Sequence, residues 1–420
     1  MIPDGLAERL HGSIAQQEHI LRSSLILNPV ENFPFPEDLS VTAGALHGLY
    51  NSDKIRDRDQ RLETAIQFAG RQRQEADSRL ISDAWASALG AADVSLRLLS
   101  GLHAHTVVFM ALARPGDRIL LLPVRAGGHM ATAAILERLG LKVLPMVVDN
   151  RSMCIDMPAT VELTRHESPD FIFVDRSEGL VYEDFSPLVG IGDCINIFDG
   201  SQYLTNILSG DHHNPFDWGF TLFLSSLHKN FPGPQKALVA TRSTDGTWRS
   251  LLGQLSTFVS NFHMTNSYAA ALTLSRQSWL QDYSSRMLKV AVLLEATLDR
   301  YDVPVVVRPH HLPPTHHLWI CQTSKDRAYR AYEALETCRI LTNFRLLPYT
   351  LGYGLRLGVN AAVRLGMVET DVPRLARLIA TILRDGPSDR LRDEAATFSQ
   401  ELWNRANSGP AQVLRDESHA

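Results

Sequence analysis

Between about residue 80 and residue 240 one pattern recurs: a short apolar or β-branched run, a turn signal, then a stretch of helical periodicity. RILLLP (118–123) precedes a helical pattern through Thr132 to Leu139, and LKVLPMVV, FIFVD, INIFD, GFTLFLSS and KALVATR follow in order. Runs this short and apolar read as strands buried on both faces. Their crossovers imply an α/β fold with a mostly parallel sheet covered by helices. Ligands in such sheets sit at the carboxyl ends of strands, which directs attention to the residues closing each run.

The flanking segments differ. From Leu6 to Arg22 the residues Leu6, Leu10, Ile14, Ile20 and Leu21 recur at roughly helical spacing, predicting an amphipathic helix. LNPVENFPFPED follows, a proline-broken loop carrying Glu31 and Asn32. From residue 286 a long helical run, SRMLKVAVLLEATLDRY, a Pro/His-rich stretch, and helices between short strands indicate a smaller α+β domain. The expected division is residues 1–35 as N-terminal helix and arm, 36–285 as the large domain and 286–420 as the small one. The stretch NSGPAQVLRDESHA at 407–420 reads as frayed.

A formal net charge of -5 and the lack of a Lys/Arg block or zinc-finger pattern argue against nucleic acid as a partner. The apolar runs fall far short of the roughly 20 residues that span a bilayer, so no membrane association is expected. The first residues show no continuous apolar core ending in a cleavage site, so a cytoplasmic location is expected. Four scattered cysteines form no CxxC pair, and the histidines of RPHHLPPTHHLW have no metal-ligand spacing, so no metal is expected.

Chemistry concentrates in SSLHKNFPGPQK (225–236), which begins where an apolar strand ends. Lys229 there is placed to form an imine with a carbonyl cofactor, and nearby hydroxyls and amides to bind phosphate. Read alone, such a lysine is ordinarily a solvated surface residue, and its context has to overturn that reading. Asp199 closes INIFD thirty residues earlier. A carboxylate at a strand end needs a cationic partner, which a protonated pyridine nitrogen supplies; alone, it reads as the cap of the turn DGSQ. Ser100-Gly101-Leu102 opens an apolar helix as a phosphate cup or as ordinary N-cap chemistry. Gly127-Gly128-His129 follows RILLLP, and His129 is placed either to stack on an aromatic ring or to serve as a structural histidine. Arg356 lies in the alternating stretch GLRLGVNAAVRLGM. It suits a substrate carboxylate, and equally a surface position on an edge strand.

Together these segments resemble serine hydroxymethyltransferase and the L-threonine transaldolases, from about residue 24 to residue 385. The resemblance implies a fold type I pyridoxal-phosphate enzyme, a homodimer with active sites completed across the interface. It implies Lys229 as the Schiff-base lysine with His228 beside it, Asp199 on the pyridine nitrogen and His129 over the ring. Ser100, Gly101, Leu102 and Ser226 fall near the phosphate. Arg356, Asn32 and Tyr50 fall to the substrate, and Glu31 to the family's Ser-Glu-Asn element. Departures bear on the reaction. Gln202 stands where hydroxymethyltransferases carry the histidine of Asp-x-x-His. Val30 replaces a usual serine. Tyr50-Asn51-Ser52 and the run KIRDRDQR replace a Tyr-x-Glu element, losing a carboxylate tied to one-carbon chemistry.

The expected reaction is therefore transfer of a glycine unit from L-threonine to an acceptor aldehyde, giving a β-hydroxy-α-amino acid of specialised metabolism such as antibiotic biosynthesis. Glu31 or His228 is expected to move the hydroxyl proton. Hydroxymethyl transfer, threonine aldolase cleavage and oxidative decarboxylation use the same apparatus. A catalytically silent partner subunit is the alternative outside enzymes. A nucleotide-binding role for Ser100-Gly101 lacks the Lys-Ser/Thr of a P-loop.

Overall fold

The computed structural model describes residues 5–51 and 68–408. Ser52, the run KIRDRDQR and residues 409–420 lie outside them. The chain divides into two compact units, one holding residues 32–285 with 311–313, the other 5–31, 286–310 and 314–408. The N-terminal helix and the loop as far as Glu31 thus group with the C-terminal part, and the division falls between Glu31 and Asn32.

The larger unit is built on a seven-stranded sheet. In chain order its strands are β1 (Asp93–Ser95), β2 (Arg118–Leu121), β3 (Lys142–Pro145), β4 (Phe171–Val174), β5 (Ile195–Asp199), β6 (Leu222–Ser226) and β7 (Ala237–Thr241). Their spatial order is β1-β7-β6-β5-β4-β2-β3. The pairs from β6 through β5, β4 and β2 to β3 are parallel. β7 runs antiparallel to β6, and β1 antiparallel to β7. Strands β4, β6 and β7 are buried at every residue, as expected of strands covered on both faces. Helices α2 (Gly101–Leu112) and α5 (Gly246–Phe258) cover one face, where Val108, Phe109, Trp248 and Leu251 pack against Ile119, Phe173, Ile197 and Leu224.

In the other unit, strands β8 (His317–Cys321), β9 (Asn343–Leu347) and β10 (Gly352–Gly358) form an antiparallel sheet in the order β8-β10-β9. Helix α8 (Val372–Asp385) buries Leu375, Leu378, Ile379 and Ile382 along one face. Helix α1 (Leu6–Arg22) forms where periodicity predicted it, but no residue of it is buried and Leu10 and Ile14 remain more than half exposed. Its apolar stripe is therefore not part of the core. Among the described residues no helix is long and apolar enough to cross a membrane, and no group of three or more His, Cys, Asp and Glu is arranged to hold a metal ion.

Candidate active site

The carboxyl ends of β4, β5 and β6 gather the polar residues of the larger unit. Asp199 is the last residue of β5, buried to 7% exposure. Its Oδ1 accepts from the Ser201 amide at 2.7 Å, and its Oδ2 lies 2.5 Å from Nε2 of His105, a buried residue of α2. Burial alone would raise the pKa of Asp199, but the hydrogen bond and charge of His105, then the charge of Lys229 and the Ser201 contact, bring it down to about 2. The strand end therefore presents a permanent anion. One strand over, Asp175 follows β4. It is fully buried, and its pKa is pushed well above the ordinary carboxylate value by desolvation, with Asp199 adding to the rise. The two neighbouring carboxyls are thus shifted in opposite directions: the hydrogen bond and charge of His105 offset burial at Asp199, while at Asp175 desolvation outweighs the Thr132 hydroxyl and the His129 amide.

Lys229 lies three residues beyond β6, half-buried, with its backbone carbonyl accepting from Nδ2 of Asn32 at 2.6 Å. The same Asn32 amide nitrogen lies 3.0 Å from the Tyr283 hydroxyl. Behind it, Asn230 is fully buried and accepts from the Thr205 amide at 2.7 Å. The next-door His228 has its pKa lowered to about 4 by burial and the charge of Lys229, so its imidazole is neutral near pH 7. Its Nδ1 is buried without a hydrogen-bond partner among the described residues.

Ser100 is the N-cap of α2, its hydroxyl accepting from the His103 amide at 3.3 Å. The first amides of this twelve-residue helix offer an anion site. A Cβ on Gly101 would lie 3.4 Å from Cβ of Ser226 and 3.6 Å from Oγ of Ser201, so the glycine opens a cradle between two hydroxyls. Among the described residues, Oγ of Ser226 is buried with no partner. An aromatic aldehyde phosphate matches this donor set: a lysine amine for its carbonyl, an anionic carboxylate for its ring nitrogen, and hydroxyls with a helix N-terminus for its phosphate. Leu102 is exposed, and the cradle consists of its neighbours rather than its side chain.

His129 is half-buried, its ring edge-on to that of His105 at 5.7 Å between centroids. Its loop is shaped by two glycines. Gly127 has φ +89, and a Cβ there would lie 2.0 Å from the Glu178 carbonyl oxygen, while one on Gly128 would lie 2.1 Å from that of Leu122. Left-handed strain and a backbone collision would then add. Gly127→Ala is expected to lower unfolding free energy by about 2–5 kcal/mol, read as a shift of the urea midpoint.

Gln202 is buried, next to the turn that follows Asp199. Tyr50 stacks on Phe68 with ring centroids 4.6 Å apart, and its carbonyl accepts from Arg71. Arg356 and Glu31 belong to the other unit. Arg356 occupies the central strand β10, opposite Trp319 and Asn343, at 4% exposure, which overturns the alternative of a surface arginine on an edge strand. Glu31 is exposed, accepts from Asn28 at 2.9 Å, and has its pKa raised by desolvation around the carboxyl. Sequence reasoning missed His105, Ser201, Asp175 and Tyr283. His105 follows Gly101 by four residues, one helical turn, a spacing that on an apolar helix reads as core and gives no signal of a site.

No family model matches the sequence. Similar proteins include the serine hydroxymethyltransferase of Picrophilus torridus, 28% identical over 330 residues, covering 74% of each chain. The fluorothreonine transaldolase of Streptantibioticus cattleyicolor is 30% identical over 316 residues, 73% of this chain and 49% of that one. In fold the chain matches the L-threonine transaldolase of Pseudomonas fluorescens with a TM-score of 0.86 at 20% identity, over 95% of this chain and 91% of that one. The chain is thus a serine hydroxymethyltransferase- and L-threonine transaldolase-like enzyme of fold type I, the architecture of pyridoxal-phosphate enzymes.

Proposed function

We propose that the protein is an L-threonine transaldolase, moving a glycine unit from L-threonine to an acceptor aldehyde to form a β-hydroxy-α-amino acid in specialised metabolism. The observation that carries this reading is Gln202. It is buried beside the Asp199 turn and cannot titrate, at the position where hydroxymethyltransferases have a histidine. The similarity to a fluorothreonine transaldolase points the same way.

Pyridoxal phosphate, when bound, supplies an electron sink for the pair left on Cα when the Cα–Cβ bond of threonine breaks. The chain's residues do the rest. Lys229 is the residue that would hold the cofactor through its side-chain amine. Asp199 keeps a negative charge beside the ring nitrogen. Ser100, Gly101 and Ser226 hold the phosphate, and His129 packs against the ring. Arg356 takes the substrate carboxylate, with Asn32 and Tyr50 also assigned to the substrate. That anchoring would hold the substrate in one orientation for cleavage of its Cα–Cβ bond. Neutral His228 takes the proton from the threonine hydroxyl as acetaldehyde leaves and returns it to the oxygen of the acceptor once the new carbon–carbon bond has formed. Glu31, whose raised pKa also suits proton transfer, is the second candidate for this step. The protein is expected to act as a cytoplasmic homodimer whose active sites are completed across the interface.

Arg356→Lys keeps the charge but loses the planar pair of donors, so KM for threonine should rise by roughly ten- to hundredfold. Steady-state kinetics with threonine varied at saturating aldehyde measure this. The reaction itself is tested by product analysis with threonine, glycine and a panel of aldehydes. Transaldolation consumes threonine and extends the acceptor in equal amounts. Release of glycine and acetaldehyde alone identifies a threonine aldolase, and folate-dependent interconversion of serine and glycine a hydroxymethyltransferase; either would replace the proposal. Reaction of glycine with no reaction of threonine would rule it out.

A further inference from the structure

One buried group at the site has no part in the reaction just described. His105 is 2% exposed in the middle of apolar helix α2, and its two ring nitrogens have different neighbours. Nε2 lies 2.5 Å from Oδ2 of Asp199, and Nδ1 lies 3.2 Å from Oγ1 of Thr132, the fully buried first residue of the helix Thr132–Arg138. The imidazole is wedged edge-on against Phe173 at 4.9 Å and against His129 at 5.7 Å. A ring held on both nitrogens and packed on its edges has one orientation, and its partner on one side fixes the direction in which the other nitrogen points.

We propose that His105 is a positioning residue for the cofactor: by donating from Nε2 to Oδ2 of Asp199, with Thr132 holding the orientation of its ring, it decides which carboxylate lone pairs face the ring nitrogen. The inference rests on the cofactor reading above and deepens it. Asp199 is held from two sides, Oδ1 by the Ser201 amide and Oδ2 by His105, so it cannot rotate away from the strand end without giving up both bonds. The neighbouring Asp175 is a contrast: a buried carboxyl at the end of the adjacent strand, with the Thr132 hydroxyl and the His129 amide in place of a charged imidazole, has its pKa raised instead of lowered. Without His105, Asp199 would lose the largest contribution that offsets its burial, and with it the donor that orients it toward a protonated ring.

The test is binding of pyridoxal phosphate labelled with nitrogen-15 in its ring, read in two ways: the dissociation constant by absorbance titration, and the ring-nitrogen chemical shift of the loaded protein. Three variants are compared with the parent. His105→Gln retains an N–H donor near the position of Nε2, His105→Leu removes it, and Thr132→Val removes only the orienting hydroxyl. In the leucine variant the dissociation constant is expected to rise about ten- to hundredfold, with the nitrogen signal moving toward the unprotonated position. The glutamine variant should stay within about threefold of the parent, and the valine variant should shift the signal in the leucine direction by less. A folded leucine variant with unchanged signal and affinity overturns the proposal, as does a glutamine variant as impaired as leucine. If the leucine protein does not fold, the valine variant decides, and an unmoved ring signal there overturns the proposal. A parent that takes up no pyridoxal phosphate overturns the cofactor reading and this inference with it; a parent that binds normally beside an unaffected leucine variant overturns this inference alone.

Discussion

Lys229→Ala is expected to yield a folded protein that retains no pyridoxal phosphate through dialysis and turns threonine over on the order of 10⁴-fold more slowly. The side chain is half-buried, so little packing is lost, while the backbone around it is held by Asn32 and by buried Asn230 independently of the amine. The loss should therefore appear in chemistry and cofactor retention and not in the thermal midpoint. Visible absorbance of the dialysed protein, thermal melting and single-turnover rates separate the two. A variant that kept the parent's visible band after dialysis would assign the covalent link to another residue.

Asp199→Asn should have the second largest effect. The amide keeps the volume and one acceptor oxygen but removes the charge from a buried site built around it. Deleting one partner of a buried charged pair costs about 3–5 kcal/mol, roughly two to three and a half orders of magnitude in an equilibrium constant. The dissociation constant for pyridoxal phosphate and kcat/KM should both worsen on that scale. His105 sharpens the expectation, because the asparagine has to present its oxygen to either Nε2 or the Ser201 amide, and the other donor then meets an NH2 group. Equal cofactor affinity in parent and variant would place the partner of the ring nitrogen elsewhere.

These two residues were the most legible part of the site because each stands at or just beyond the end of an apolar run. INIFD is β5 residue for residue, and Lys229 follows β6 by three. The direction of β7 was also within reach. Only ten residues separate Ser226 from Ala237, fewer than a parallel crossover needs, so the strand has to return antiparallel. His105 was not legible: in HAHTVVF a histidine on an apolar helix reads as core, and its carboxylate partner is 94 residues away, brought in by the sheet. Arg356 shows a different limit. Alternation announced its strand, but whether that strand lay at an edge depended on the pairing of β8 and β9 on either side of it. Glu31 and Asn32 are adjacent in a single motif, yet the boundary between the compact units runs between them.

The contact between Asn32 and the Lys229 carbonyl bears on the timing of catalysis. In the proposed reaction the lysine has to leave and rejoin the cofactor once in every cycle, but its main chain is tethered by Asn32 and braced by the Asn230 network, so only the four-carbon side chain is left to swing. Rotamer changes of that kind run on far shorter timescales than loop or domain motions. Departure of the amine is then a local pivot about a stationary base, too brief to limit turnover. Under the proposed transaldolation the slow event in the cycle is then expected in bond cleavage or in the exchange of one aldehyde for another.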